Sequence, residues 1–375
     1  MSAALEAVTS LLLPKRRQHA IPSLDGASVP NDRLEQLPVL TEVTRPDDIA
    51  AGADGSLYVA SDRQLLRLSG ADLRDQATVA TFNAPITALA TLHDGGFAVG
   101  VNGAGLLRLN AKGTTLAWLD SFDGAPLRCV TAIAEDPASG GLYFTVGSTR
   151  HAAEDWVWDL METNRTGILA HWPAGARAAE TLLTGLAYPN GVELTSDGAG
   201  LLFTQSWTHS LARYRLAGAG RGAVETLIDN MPGYPARITP AAAGGHWLAV
   251  FAMRTQLIEL VLREPEFRHE MMRCVDPALW IRPALRSTGS YLEPLQGGGI
   301  KKLGIRKPWA PPRAYGLVLR LNAQGEPMFS LHSRVDGRNH GVMAAREIGE
   351  RVVFTVKGND RILVADRAAL ETRHG

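Results

Sequence analysis

Cysteine is almost missing from this chain. Two residues in 375, Cys129 and Cys274, lie too far apart for the short spacings of metal or redox motifs and are too few for a disulfide framework. A reducing, cytoplasmic setting is the expectation. Excess charge of either sign is missing too: Lys+Arg and Asp+Glu both number 38, the formal net charge is zero and the pI is near 7.2. That removes the electrostatic footprint that a nucleic-acid or anionic-membrane partner requires. No apolar run reaches the ~18–20 residues that span a bilayer. At the N-terminus the basic cluster Lys15-Arg16-Arg17 follows the short apolar patch Leu11-Leu12-Leu13 instead of preceding a longer one, the wrong order for a secretory signal. Residues 1–40 are therefore read as an extension carrying a short amphipathic helix.

The common catalytic signatures are missing as well. The chain has no Gly-x-Ser-x-Gly elbow, no His-Glu-x-x-His, no Walker loop and no dinucleotide fingerprint between a strand and a helix. The run Gly297-Gly298-Gly299-Ile300-Lys301-Lys302 lacks the spacing of a phosphate loop.

What is present is an ordinary globular composition, 45% hydrophobic and 20% charged, and an internal repeat. An apolar strand, a tight Asp-Gly or Gly-Gly turn, a second apolar strand and an alternating third strand recur from Asp48, Ile86, Val130, Gly191, Arg237 and His340. The turns fall at Asp54-Gly55, Asp94-Gly95, Gly140-Gly141, Asp197-Gly198 and Gly244-Gly245. One such meander cannot cover both of its faces, so blades must stack around an axis. Six copies spaced roughly 40 to 60 residues apart, with one longer gap, predict an all-β, six-bladed β-propeller over residues 41–370. Helical crossovers of an α/β fold are not apparent, and a β-sandwich is the weaker alternative. The long gap, about 263–313, carries Met271, Met272, Trp280, Ile281 and Leu285 and then a Gly- and Pro-rich stretch. It reads as a helical and loop insertion in a late blade that covers the channel mouth.

Several phrases in order resemble the strictosidine synthase family. They are Leu142-Tyr143-Phe144-Thr145, Gly185-Leu186-Ala187-Tyr188-Pro189-Asn190-Gly191-Val192, Ala212-Arg213-Tyr214 and Ile228-Asp229-Asn230-Met231-Pro232-Gly233-Tyr234-Pro235, with Arg45-Pro46-Asp47-Asp48-Ile49-Ala50 and Tyr315-Gly316-Leu317-Val318 extending the similarity. The resemblance implies a six-bladed propeller. More distantly it implies kinship with calcium-dependent lactonases and esterases of the gluconolactonase/SMP-30 and paraoxonase kind.

In those metal-dependent relatives an acidic residue and several Asn or Asp residues hold calcium in the channel, an ion that wants six to eight hard oxygen ligands. Carried over, the positions fall on Asp47, on Thr131 (beside Ala132) in place of an Asn, on Asn190, and on Ala236-Arg237 in place of an Asp-Asn pair. Asp47 and Asn190 are the residual candidate ligands, no cofactor is expected, and calcium is the disfavoured option. The glutamate base of the plant synthases falls on Asn339, and an amide cannot act as a base. Strictosidine formation itself is therefore not expected.

The remaining candidates are His340 and Asp48 as catalytic acid or base, with Arg237, Asn190, Thr131, Asn339, Trp207 and His151 as substrate-binding residues. A guanidinium can clamp a carboxylate, which points to a small carboxylate- or carbonyl-bearing ligand. Arg237 can equally pair with Asp47 or Asp48 as a structural ion pair. Three functions stay open: a lactone or ester hydrolase with an atypical metal-free site, a metal-free enzyme making or breaking C–N or C–C bonds, and a non-catalytic ligand- or partner-binding propeller. Oligomeric state is not legible.

Overall fold

The structure, a computed structural model, describes residues 20–287 and 314–371 together with the backbone of 301–302 and 305–306. The helix expected within the first twenty residues and the Gly297–Gly299 run lie outside the described residues.

The predicted repeats are six four-stranded antiparallel sheets. Blade 1 runs Pro46–Ala51, Leu57–Ser61, Gln64–Ser69 and Asp75–Thr81, and blade 2 runs Ile86–Thr91, Phe97–Val101, Gly105–Leu109 and Thr115–Leu119. Blade 3 comprises Val130–Asp136, Gly141–Val146, Gly167–Trp172 and Glu180–Leu186, and blade 4 comprises Pro189–Leu194, Gly200–Gln205, Ser210–Arg215 and Val224–Ile228. Blade 5 takes Gly233–Pro240, His246–Met253, Gly316–Leu321 and Pro327–Ser333. Blade 6 takes Val342–Ile348, Arg351–Val356 and Arg361–Asp366, and its outer strand is Val39–Glu42 from the other end of the sequence. Each first strand packs against the first strands of both neighbouring blades, and blade 6 returns to blade 1, so the inner strands form a closed ring. Val39 opposite Leu363 and Glu42 opposite Arg361 fasten that ring by completing the last blade with a strand from the other end of the sequence.

The turns use the chemistry read from the sequence. Gly55 stands at φ +77°, and the Asp54 side chain accepts a hydrogen bond from the Ser56 N–H at 3.0 Å. Between blades the core is apolar and close-packed. Trp247 is fully buried with Phe329 and Phe354 edge-on to its ring, and its indole N–H reaches Glu347 Oε1 of the next blade at 2.8 Å. An aromatic residue buried this way stabilises only if its polar tip finds a partner.

Residues 20–38 form a strap across blade 5. The Leu34 and Glu35 N–H groups donate to the His332 carbonyl, and Glu35 Oε2 accepts from the Ser333 hydroxyl at 2.7 Å and from the Arg338 N–H at 2.8 Å. Burial pushes the Glu35 carboxyl up, but the backbone N–H of Arg338 and the Ser333 hydroxyl outweigh this and hold it below its ordinary value.

Two excursions build a cap. In blade 3, between the second and third strands, lies helix α1, Trp156–Met161. In blade 5 the excursion starts at Arg254, earlier than the repeat spacing implied, and carries α2, Gln256–Arg263, and α3, Pro265–Cys274. Thr255 caps α2, its hydroxyl accepting from the Ile258 N–H at 3.2 Å. The two excursions meet where Trp158 packs edge-on against the fully buried Trp280, with ring centroids 4.5 Å apart.

Candidate functional site

Each inner strand carries an irregularity at the same register. Pairing with the second strand skips Asp47 in blade 1, Thr87 in blade 2, Thr131 in blade 3, Asn190 in blade 4 and Met343 in blade 6. In blade 5, Pro235 opposes Val250 and Ile238 opposes Leu248, so Ala236 and Arg237 together face Ala249. A bulged residue is freed from the ladder and re-aimed. Six bulges thus supply one channel-lining side chain per blade: Asp47, Thr87, Thr131, Asn190, Arg237 and Met343.

Arg237 organises this ring. One terminal nitrogen donates to Asn190 Oδ1 at 3.2 Å, and the other donates to Asp47 Oδ1 at 2.7 Å and to the Thr87 carbonyl. Its Nε lies 3.8 Å from Asp48 Oδ2. Of the two readings left open for Arg237, the geometry matches the cross-channel ion pair. The guanidinium sits between Asp47 and Asn190, the two oxygen donors that would otherwise remain for a metal ion. Among the described residues no group of three or more His, Cys, Asp or Glu side chains converges as a metal site.

A second cation enters from blade 6. Lys357 donates to Asp47 Oδ2 and, at 3.4 Å, to Glu154 Oε1, while Glu154 Oε2 accepts from Arg45, which in turn reaches Asp62 at 3.3 Å. The charges alternate from surface to axis in the order Asp62, Arg45, Glu154, Lys357, Asp47, Arg237. Burial pushes the Asp47 carboxyl up, but Lys357 and Arg237 outweigh it and hold the group below the usual carboxylate range. For its neighbour Asp48 burial prevails and the value is raised, although the Arg237 charge and the Leu89 N–H at 2.9 Å pull the other way.

The ring encloses about 30 Å³ of room for water centres, walled by Trp156, Tyr188 and Phe251. That suffices for a water and not for an organic substrate. Outside it lies a basin of about 590 Å³ lined by Arg45, Glu154, Arg282, Arg286 and Asp360. Trp156, Leu285 and Lys357 border both spaces. Burial pushes the Cys129 thiol up to about 12 and the Tyr188 phenol well above its ordinary value, so neither supplies an anionic nucleophile near neutral pH.

Of the residues singled out in the sequence, Asp47, Thr131, Asn190 and Arg237 line this cavity. Thr131 is occupied, its hydroxyl donating to the Pro189 carbonyl at 2.6 Å and thereby tying blade 3 to blade 4. Asp48 stands just behind the ring, accepting from the Ile49 and Leu89 N–H groups. The other four stand apart. His340 is buried with Nε2 on the Arg334 carbonyl at 2.8 Å, and Asn339 donates to the Leu34 carbonyl at 3.0 Å, anchoring the strap. Both turn toward the junction of blades 5 and 6, Asn339 because the strap takes its polar groups and His340 because the Arg334 carbonyl and Asn359 take its own. Trp207 packs on Tyr188 with centroids 4.4 Å apart and donates to Asp159, behind the wall, and His151 contacts Glu162 at 2.8 Å on the cap. Thr87, Met343 and Lys357 were missed. Aligning the repeats on Pro46-Asp47, Val130-Thr131 and Pro189-Asn190 yields Ile86-Thr87 and Val342-Met343 at once, whereas Lys357 carries no signal beyond charge.

A strictosidine synthase family model matches residues 132–219. Over that stretch this six-bladed propeller is similar to strictosidine synthase. The adipocyte plasma membrane-associated protein of Danio rerio is 25% identical over 62% of this chain and 60% of that protein. Strictosidine synthase-like protein 13 of Arabidopsis thaliana is 32% identical over 37% of this chain and 34% of its own length. The matched region thus spans less than two thirds of either relative. Among solved structures, a Xanthomonas campestris gluconolactonase superposes with a TM-score of 0.58 at 11% identity, covering 92% of this chain and 95% of that one. The calcium-binding protein regucalcin of Agrobacterium tumefaciens gives 0.54 at 16% identity, covering 88% and 92%. At such identities the likeness is one of fold. No helix among the described residues is long and apolar enough to cross a membrane.

A pH response follows from Glu193, near the far end of blade 4's inner strand in a groove of about 700 Å³. The residue is partly exposed, yet burial around its carboxyl raises it to about 7, with Arg346 opposing. A folded-state value above the unfolded ~4.3 means that its stabilising share is complete below the unfolded value and is lost as pH rises through about 7. Melting points at pH 6 and pH 8 should therefore fall with pH in the wild type, and Glu193→Gln should flatten the slope. An unchanged slope in the variant refutes the assignment.

Proposed function

We propose that the channel mouth binds a small carboxylate- or carbonyl-bearing molecule, and that its reaction is of the lactone- or ester-hydrolysis type with the protein's own cations in place of a metal ion. The observation that carries this reading is the Lys357 ammonium, held on Asp47 and Glu154 where the inner cavity meets the mouth basin. The gluconolactonase-like architecture supports the hydrolytic direction at the level of fold only. Water adding to a lactone or ester carbonyl places negative charge on the carbonyl oxygen, and a cation in a partly desolvated site stabilises that charge. An ammonium has three N–H donors. Asp47 and Glu154 take two of those on Lys357, which leaves one for a carbonyl oxygen in the basin.

The test is a panel of simple lactones and aryl esters, run with the purified chain after treatment with a chelator and again with added calcium. Turnover that is insensitive to both is the expected result. Turnover that appears only with calcium overturns the metal-independent reading, and saturable binding without turnover replaces the enzyme with a binding propeller.

A further inference from the structure

We infer that Glu154 is a resident stand-in for the ligand: its carboxylate fills, between Arg45 and Lys357, the docking position of the carboxylate of a small organic acid whose apolar body rests on Trp156 in the mouth basin. This rests on the mouth being a small-molecule site, and it adds which groups hold the acid and what must move to admit it.

Three separate elements converge on this position. Arg45 stands just ahead of blade 1, Lys357 just after the second strand of blade 6, and Glu154 comes from the blade 3 excursion. Each cation already owns a carboxylate, Asp62 for Arg45 and Asp47 for Lys357, so the Glu154 carboxylate is a third one bridging two satisfied cations. Withdrawing it strands no buried charge. The side chain is 28% exposed and its 3₁₀ turn, Ala153–Asp155, buries no residue, so it can leave without opening the core. Lys357, at 13% exposure, stays in place.

The backbone at Arg45 points the same way. This arginine has φ +46°, in the left-handed region that non-glycine residues avoid, and its N–H is fixed by Asp360 Oδ1 at 2.8 Å. Backbone held in this way by tertiary contacts clusters at ligand sites. Here it delivers a guanidinium to the rim of the 590 Å³ basin. Trp156, two residues beyond Glu154, borders both the basin and the inner cavity, so displacement of the carboxylate by a ligand also disturbs the wall between them. An internal competitor lowers apparent affinity by the fraction of time the position is vacant.

Benzoate is the probe, a carboxylate on a flat apolar ring, titrated by calorimetry at low ionic strength into the full chain. Glu154→Gln is expected to bind it at least about threefold more tightly than wild type, the scale of one partly exposed ion pair. Adding Lys357→Met to that variant should abolish the gain. Asp62→Asn removes the same charge next to Arg45 without vacating the bridging position, and it should leave affinity within about twofold of wild type. Equal gains in Glu154→Gln and Asp62→Asn would reduce the effect to general electrostatics and overturn the inference, as would absence of benzoate binding in both wild type and Glu154→Gln. Failure of the lactone and ester panel leaves these binding results standing, so the two readings fail separately.

Discussion

Arg237→Met is expected to cost about 3–5 kcal/mol of folding stability, the cost of removing one partner from a buried, hydrogen-bonded ion pair. The guanidinium is 6% exposed and bonds to residues of blades 1, 2 and 4 from its own place in blade 5. Methionine fills most of the volume but leaves the Thr87 carbonyl and the Asn190 amide without their donor, and Asp47 with Lys357 alone. Asp48 loses its nearest cation, at 3.8 Å, which raises further the cost of ionising a carboxyl that burial already disfavours. The double variant Asp47→Asn/Arg237→Met should recover more than about 1 kcal/mol of the loss, because it removes a buried charge that has lost one of its two cations. Denaturant unfolding measures both quantities. A loss under about 1 kcal/mol in the single variant would show that water, rather than Arg237, satisfies the ring.

The propeller was legible because its cause is local and repeated. Alternating apolar strands and Asp-Gly turns recur, and each turn needs a glycine where φ is positive, as at Gly55 and Gly198. Four of the six channel-ring residues were legible, Arg237 among them. Asp47, Thr131 and Asn190 stood out as positions where the metal-dependent relatives carry ligands, yet Thr87 and Met343 occupy the same bulge and drew no notice, since neither looks like a ligand. His340 and Asn339 were misplaced for a tertiary reason. The strap at Leu34 and Glu35 lies some three hundred positions away in sequence and claims the hydrogen bonds of Asn339, while His340 turns to the Arg334 carbonyl. No periodicity announces such a contact. Lys357 and Glu154 meet at the mouth although 203 residues separate them, and only the closure of the ring brings blade 6 beside the blade 3 excursion.

Lys357→Met should produce the opposite pattern from Arg237→Met: a small effect on the fold and a large one on turnover. Each carboxylate it touches keeps another cation, Arg237 for Asp47 and Arg45 for Glu154, so the stability loss should stay under about 2 kcal/mol. Its N–H is the donor assigned to the reacting carbonyl oxygen, and removal of one such donor from an oxyanion site costs roughly 10²–10³ in kcat/KM. Lys357→Arg keeps the charge but replaces a compact ammonium with a planar fork that cannot address Asp47, Glu154 and a ligand oxygen at the same time. It should recover only part of the rate. The measurement is kcat/KM on the best lactone or ester of the panel, alongside unfolding of the same preparations. If Lys357→Met turns over within about threefold of wild type, charge stabilisation does not come from this ammonium. A loss of rate with the fold intact would separate the two cations of the channel, one holding the blades together and the other meeting the ligand.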